Sequence, residues 1–270
     1  MLVKQTVFEA LLPGMIDSHF HALSMREKGL DPDELLSRCF QGGFAAALDV
    51  AVDTNDFEER CTLLAPFKRV FLTAGISPFH AGSSGLTDRL HLLEKQISSP
   101  RVIAVGEIGL DRHWDYGTPE EQRDLFVVQM EIAIGTGLPI VVHNREADRE
   151  LVSLIEGHRP PKGGIMHCYS SDYPTAVRFV DMGFLISFAG NVTYKRSEAI
   201  QETARRLPAE SLLVETDSPY LAPVPERGRP CHPALVAHTY AFVADLRGMA
   251  VDELVAHVGS NFSRLFGFVP

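Results

Sequence analysis

Short apolar runs alternate with longer amphipathic segments along most of the chain. The strand-like runs fall at 13–19, 44–50, 70–75, 102–107, 139–143, 164–168, 184–188 and 211–215. Between them lie segments of helical length and period, at 31–41, 55–66, 86–97, 119–134, 146–156, 173–182, 197–206 and 233–247. Gly42-Gly43 stop the first of these. The fourth has the clearest start: Thr118 is placed to cap, Pro119 suits the first helical position, and Glu121 stands three residues after the cap. Gly135 and Gly137 mark its end. A last segment, 251–266, adds a helix outside the repeat. Eight strand–helix units predict an α/β fold, either a closed (β/α)8 TIM barrel or an open doubly wound sheet.

Composition narrows this little but excludes much. A chain of 270 residues with 45% apolar content can bury a large core, and α/β barrels of about this length form one domain, so a single domain over 1–270 is expected. Lys4, Glu9 and Pro13 interrupt the opening apolar stretch, and no run of about 18 uncharged apolar residues occurs, so a soluble, unexported protein without a membrane span is expected. Cys39, Cys61, Cys168 and Cys231 lie far apart with no CxxC pair, which argues against a disulfide framework and a thiolate zinc site and fits a reducing cytoplasm. The net charge of 25 − 35 = −10 is not the footprint of a protein that coats nucleic acid. Any polyanion must be gripped locally.

Metal-ligand residue types recur where the apolar runs end. His19 and His21, one residue apart after an apolar opening, share a face of an extended backbone. Glu107 closes Val102–Gly106, His143 closes Leu138–Val142, His167 closes Gly163–Met166, and Asp217 follows Leu212–Thr216. A barrel gathers all five strand ends at one mouth, whereas an open sheet spreads them along a line, so the barrel is preferred. Six such residues exceed the needs of one tetrahedral ion with an open position. Two divalent ions sharing a bridge would use them all, with Glu107 as the bridge, His19, His21 and Asp217 completing one site, and His143 with His167 the other. Imidazole-rich ligation suits zinc, manganese or cobalt as well as magnesium.

Asp17-Ser18-His19-Phe20-His21, Gly106-Glu107-Ile108-Gly109-Leu110-Asp111, His143–Ala147, Met166–Ser170, Gly190–Lys195 and Glu215–Leu221 resemble, in order and spacing, the motifs of the TatD family of metal-dependent deoxyribonucleases. Asn261-Phe262 to Gly267 resembles that family's closing helix. The resemblance implies a TIM barrel of the amidohydrolase superfamily, a two-metal centre ligated by the six residues above, and hydrolysis of DNA phosphodiesters, often as a 3′→5′ exonuclease preferring single-stranded ends. It also implies that Asp217 is the general base; no obligate protein partner is evident from the sequence. One departure is visible. After Arg227-Gly228 the family usually has an asparagine shortly before the proline, and here Pro230-Cys231-His232-Pro233 fills that stretch.

Other residues carry both a functional and a plain reading. Glu215, two before Asp217, is a candidate to orient a ligand histidine, or to brace a loop. Asp111 would bind a further ion or, preferably, cap the next turn. Arg145 is a candidate phosphate fork, against a salt bridge to Glu146 or Asp148. Lys195, Arg227 and Arg229 lie in loops after strands 7 and 8, where barrels commonly bind phosphate, and each alone is more often a solvated charge. Trp114 either stacks a base or packs under its loop, the latter preferred. Alternation turns Cys168 away from the ligands. His80, His91, His113, His158, His232, His238 and His257 lack the strand-end context and are read as surface or packing residues.

Three functions compete: a two-metal nuclease, a related amidohydrolase or esterase such as an aminoacyl-ester deacylase, and an inactive binding scaffold. The complete ligand set disfavours the scaffold. A glutamate stands on strand 4 where many two-metal amidohydrolases need a carboxylated lysine, and basic residues near the mouth favour phosphate.

Overall fold

A computed structural model describes residues 5–267. Its sheet runs β1 (Ile16–Phe20), β2 (Ala46–Asp49), β3 (Val70–Ala74), β4 (Val102–Asp111), β5 (Ile140–Arg145), β6 (Gly164–Met166), β7 (Phe184–Phe188) and β8 (Leu212–Val214), each paired in parallel with the next. A four-residue helix, α1 (Gln5–Phe8), precedes β1, and α2 (Ala22–Glu27) and α3 (Pro32–Gln41) follow it. Then α4 (Phe57–Leu63), α5 (Leu86–Gln96), α6 (Pro119–Thr136), α7 (Asp148–His158), α8 (Tyr173–Asp181) and α9 (Glu198–Arg206) follow β2 to β7 in turn. Two helices, α10 (Val236–Arg247) and α11 (Val251–Phe266), come after β8. This is the expected (β/α)8 barrel. No helix of the described residues is long and apolar enough to cross a membrane.

Local chemistry sets the element ends. Thr118 and Glu121 form the reciprocal capping box that starts α6, and Gly137 ends the helix at φ +70°, a conformation in which a side chain is strained. The short helices α1 and α2 were not expected, because four and six residues are too few to display a helical period.

The sheet closes at β1 and β8 by different means from its other joints. Their ladder is a single bridge, Phe20 to Ser218, flanked by backbone bonds from His21 N to Ser218 O (2.8 Å) and from Asp217 N to His19 O (2.9 Å). Buried side chains supply the rest. Asp17 accepts from the backbone and the hydroxyl of Thr216 (2.9 and 2.6 Å), and Ser18 donates to the Val214 carbonyl (3.1 Å). Burial pushes the Asp17 carboxyl up to about 8, against the Thr216 and His19 donors that favour its charge.

The expectation that Glu107 and His143 end their strands needs correction. Pairing of β3 with β4 ends at Ala74–Val105, yet β4 continues along β5 through Ile108–Val142 and Gly109–His143 to Asp111–Arg145. Glycines permit this close approach. A Cβ on Gly109 (φ +150°) would lie 2.0 Å from the His143 carbonyl oxygen, and one on Gly106 would lie 2.6 Å from the Val141 Cβ. Glu107 is therefore mid-strand, and β4 carries Asp111 as well.

Candidate metal centre

At the C-terminal ends of the strands, all six expected ligand residues converge. His19, His21, Glu107, His167 and Asp217 are buried, and His143 is partly so. The Nε2 atoms of His19 and His21 stand 3.1 Å apart with their rings at 79°. Asp217 Oδ1 lies 3.7 and 3.4 Å from them, and Glu107 Oε2 lies 3.8 Å from each. Bonds of about 2.1 Å to one ion give ligand–ligand edges of roughly 3.4 Å in a tetrahedron. The five edges that join the two imidazoles to each other and to the two carboxylates, 3.1–3.8 Å, lie close to that value. The other carboxylate oxygen of Glu107, Oε1, faces a different pair, His143 Nδ1 at 2.8 Å and His167 Nε2 at 3.2 Å.

The backbone reaches this geometry by leaving the regular pleat. Pairing of β1 with β2 shifts register between Asp17 and Phe20, so the two histidines converge across an irregularity and not along an ideal strand. Asp217 (φ +56°) and Cys168 (φ +45°) also take left-handed conformations beside ligand positions. The Cys168 turn brings its residue into the cavity lining, contrary to the expectation from alternation. Burial, with Asp217, Glu215 and Glu107 nearby, holds its thiol well above the ordinary range and keeps it protonated.

Outer partners fix the imidazoles. His21 Nδ1 meets the Val50 carbonyl at 2.9 Å, and His143 Nε2 meets Asp111 Oδ2 at 3.0 Å. Glu215, fully buried, holds one oxygen 3.4 Å from His167 Nδ1 and accepts from Cys168 N at 2.8 Å. Asp111 thus braces a histidine and also caps the turn that follows, accepting from His113 N and Trp114 N. Asp111→Ala is expected to weaken metal binding at the His143 side by roughly 10- to 100-fold. Titration against a metal buffer checks this; an affinity within threefold of wild type would refute the bracing role.

The electrostatics call for positive charge. Burial raises the Glu107 pKa, but the charge of His167 and the hydrogen bonds from His143 and His167 outweigh it and hold the carboxylate well below its usual range. Burial lowers His167 and His143, but Glu107, and Asp111 for His143, drive both above the ordinary histidine value. Burial and the neighbouring His167 and His21 keep His19 well below it, as a neutral imidazole suited to ligation. The donor set, its edges and its appetite for cations all fit divalent ions.

A cavity of about 270 Å³ opens over these groups, with Arg145, Asn191 and Tyr220 in its wall. Arg145 is exposed there and makes no ion pair or side-chain hydrogen bond among the described residues. The salt bridge that competed for it is absent, because Glu146 pairs with His113 and Asp148 bonds Asn144 and Ser171. Lys195 and Arg227 do not line the cavity; the Arg227 guanidinium lies over the Tyr194 ring at 4.3 Å, and Arg229 pairs with Glu226. Trp114 does not pack under its loop and is 57% exposed. Of the seven other histidines, His232 is buried and stacks on Phe8, with burial lowering it to about 4.

Comparison with known proteins agrees with this architecture. The profile of the TatD related DNase family matches residues 16–267. The chain is 33% identical over 255 residues to the uncharacterized metal-dependent hydrolase YcfH of Escherichia coli strain K12, covering 93% of this chain and 95% of that protein. It is 31% identical over 246 residues to the 3'-5' ssDNA/RNA exonuclease TatD of Klebsiella pneumoniae strain 342, covering 88% and 92%. The crystal structure of YJJV, a TatD homologue from Escherichia coli K12, superposes with a TM-score of 0.89 at 29% identity, covering 95% of this chain and 99% of that one. With a matching family profile over nearly its whole length and a matching fold, this chain belongs to the TatD family of metal-dependent hydrolases.

Proposed function

We propose that this protein hydrolyses phosphodiester bonds of DNA, working as a 3′→5′ exonuclease on single-stranded ends in the cytoplasm. The observation that carries the reading is the division of Glu107, one oxygen towards His19 and His21 and the other towards His143 and His167, beside an unpaired Arg145 in the same cavity. His19, His21, Glu107 and Asp217 would hold one divalent ion, and Glu107, His143 and His167 a second. Such a pair supplies Lewis acidity that activates water and neutralises charge on both the attacking and the leaving oxygen.

The chain's own groups do the remaining work. Arg145 offers a planar fork to the non-bridging phosphate oxygens and orients the scissile bond. Asp217, whose Oδ2 is not among the atoms facing the histidines, takes the proton of the attacking water. Asp111 and Glu215 keep His143 and His167 aimed. The exonuclease named for the Klebsiella relative supports this reading. Incubation with end-labelled single-stranded and duplex DNA and RNA, with and without manganese or magnesium, tests it. Stepwise shortening of single-stranded DNA is expected; inertness towards all four polymers, with turnover of a lactone or aminoacyl ester, would overturn it.

A net charge of −10 adds a prediction. With Arg145 the one arginine or lysine in the cavity wall among the described residues, a single side-chain contact gives a slope of log K against log salt of roughly −0.7 on a single strand. Equilibrium binding of a short oligonucleotide across a salt series at fixed metal measures it. A slope several times steeper would reveal a long basic track.

A further inference from the structure

The rim of the mouth carries aromatic surface that hydrolysis itself does not require. A row of rings leads outward from the His143 imidazole. Phe79 meets it edge to face at 5.4 Å and meets Tyr116 at 4.7 Å. Phe79 also lines both the central cavity and an open groove of about 640 Å³, so it stands at the border between the two. Two residues before Tyr116 stands Trp114, the chain's only tryptophan, more than half exposed.

These rings are held, not merely left outside. Asp111 Oδ1 accepts from the backbone of His113 and Trp114, and the His113 ring stands on edge against the indole at 4.7 Å. The loop bearing Phe79 is pinned by Gln129 of α6, which bonds both backbone groups of Ile76 at 2.7 and 2.9 Å. Fixed aromatic faces lose little entropy when a flat apolar partner covers them.

Charge narrows the partner further. Asp115 and Glu121 line the groove beyond Phe79 and repel phosphate, whereas Arg145, with the cations that the ligand cluster would hold, would draw it into the central cavity. The occupant must place an anion in the cavity and uncharged flat groups along the rim. Unpaired nucleobases of one strand have that arrangement; bases locked inside a duplex do not present their faces.

We propose that Phe79, Tyr116 and Trp114 form a stacking platform for the bases of a single-stranded nucleic acid whose scissile phosphate lies in the central cavity. This rests on the phosphodiesterase reading above. Because Trp114 is the sole tryptophan, its fluorescence reports the platform directly. The probes are hexathymidylate and an abasic phosphodiester of the same length, titrated into metal-loaded Asp217→Asn protein so that neither is consumed. Saturable quenching by hexathymidylate and none by the abasic chain is expected, and adding Tyr116→Leu is expected to weaken hexathymidylate binding by roughly 5- to 150-fold. In the active protein, Tyr116→Leu and Trp114→Leu are expected to act on KM for hexathymidylate rather than on kcat. Binding without any fluorescence change, equal affinity for the abasic chain, or an unmoved KM would each overturn the platform. Hydrolysis of both probes with equal KM removes the platform alone, whereas hydrolysis of neither by the wild-type protein removes the phosphodiesterase reading beneath it.

Discussion

Asp217→Asn is expected to lower hydrolysis by roughly a hundred- to ten-thousand-fold, the range for loss of a general base, while the barrel stays folded. Asparagine keeps an oxygen where Oδ1 faces His19 and His21, so ligation is weakened more than abolished. What it lacks is a site for the proton. The fold tolerates the change for two reasons: the backbone bond from residue 217 to His19 O is unaffected, and asparagine accepts a φ of +56° about as well as aspartate. Initial rates at saturating metal, beside the thermal transition, check the prediction. Activity above a tenth of wild type with an unchanged transition would show that another group takes the proton.

Glu107→Ala is expected to reduce bound metal from about two ions to at most about one per chain and to abolish hydrolysis, since a shared carboxylate serves both sites of a two-ion clamp. The substitution removes Oε2 from the His19–His21 side and Oε1 from the His143–His167 side at once. It also strips the main negative charge from a buried cluster in which Glu107 holds His167 protonated. Elemental analysis of wild type and variant after identical loading is the measurement. Two ions surviving in the variant would refute the bridge and would mean that each ion rests on its own ligands.

The barrel was legible because its signals are local. Eight apolar runs and the amphipathic segments between them repeat often enough to be counted, and ligand residues at run ends give the strands a common direction. What the sequence hid is long-range or conformational. Nothing in the pattern ties Asp17 to Thr216, 199 positions away, or the Val50 carbonyl to His21. The left-handed turn at Cys168 defeats alternation, and the extension of β4 past Val105 depends on glycines whose role shows only when β5 lies beside them. Trp114 was misjudged for a related reason: indoles are largely buried on average, and the loop whose backbone Asp111 caps at His113 and Trp114 leaves this one exposed.

The joint between β1 and β8 sets a timetable. All four imidazoles of the centre, at positions 19, 21, 143 and 167, are synthesised before β8 and Asp217. With one backbone bridge at that joint, the last strand is tied to the first chiefly by Asp17, Thr216 and Ser18, groups that meet only when the first strand is already in place. A chain made as far as residue 167 therefore carries five of the six ligands and still cannot complete the centre. The centre gains Asp217, its second carboxylate, only when the barrel shuts, because the backbone of that residue is bonded to the His19 carbonyl.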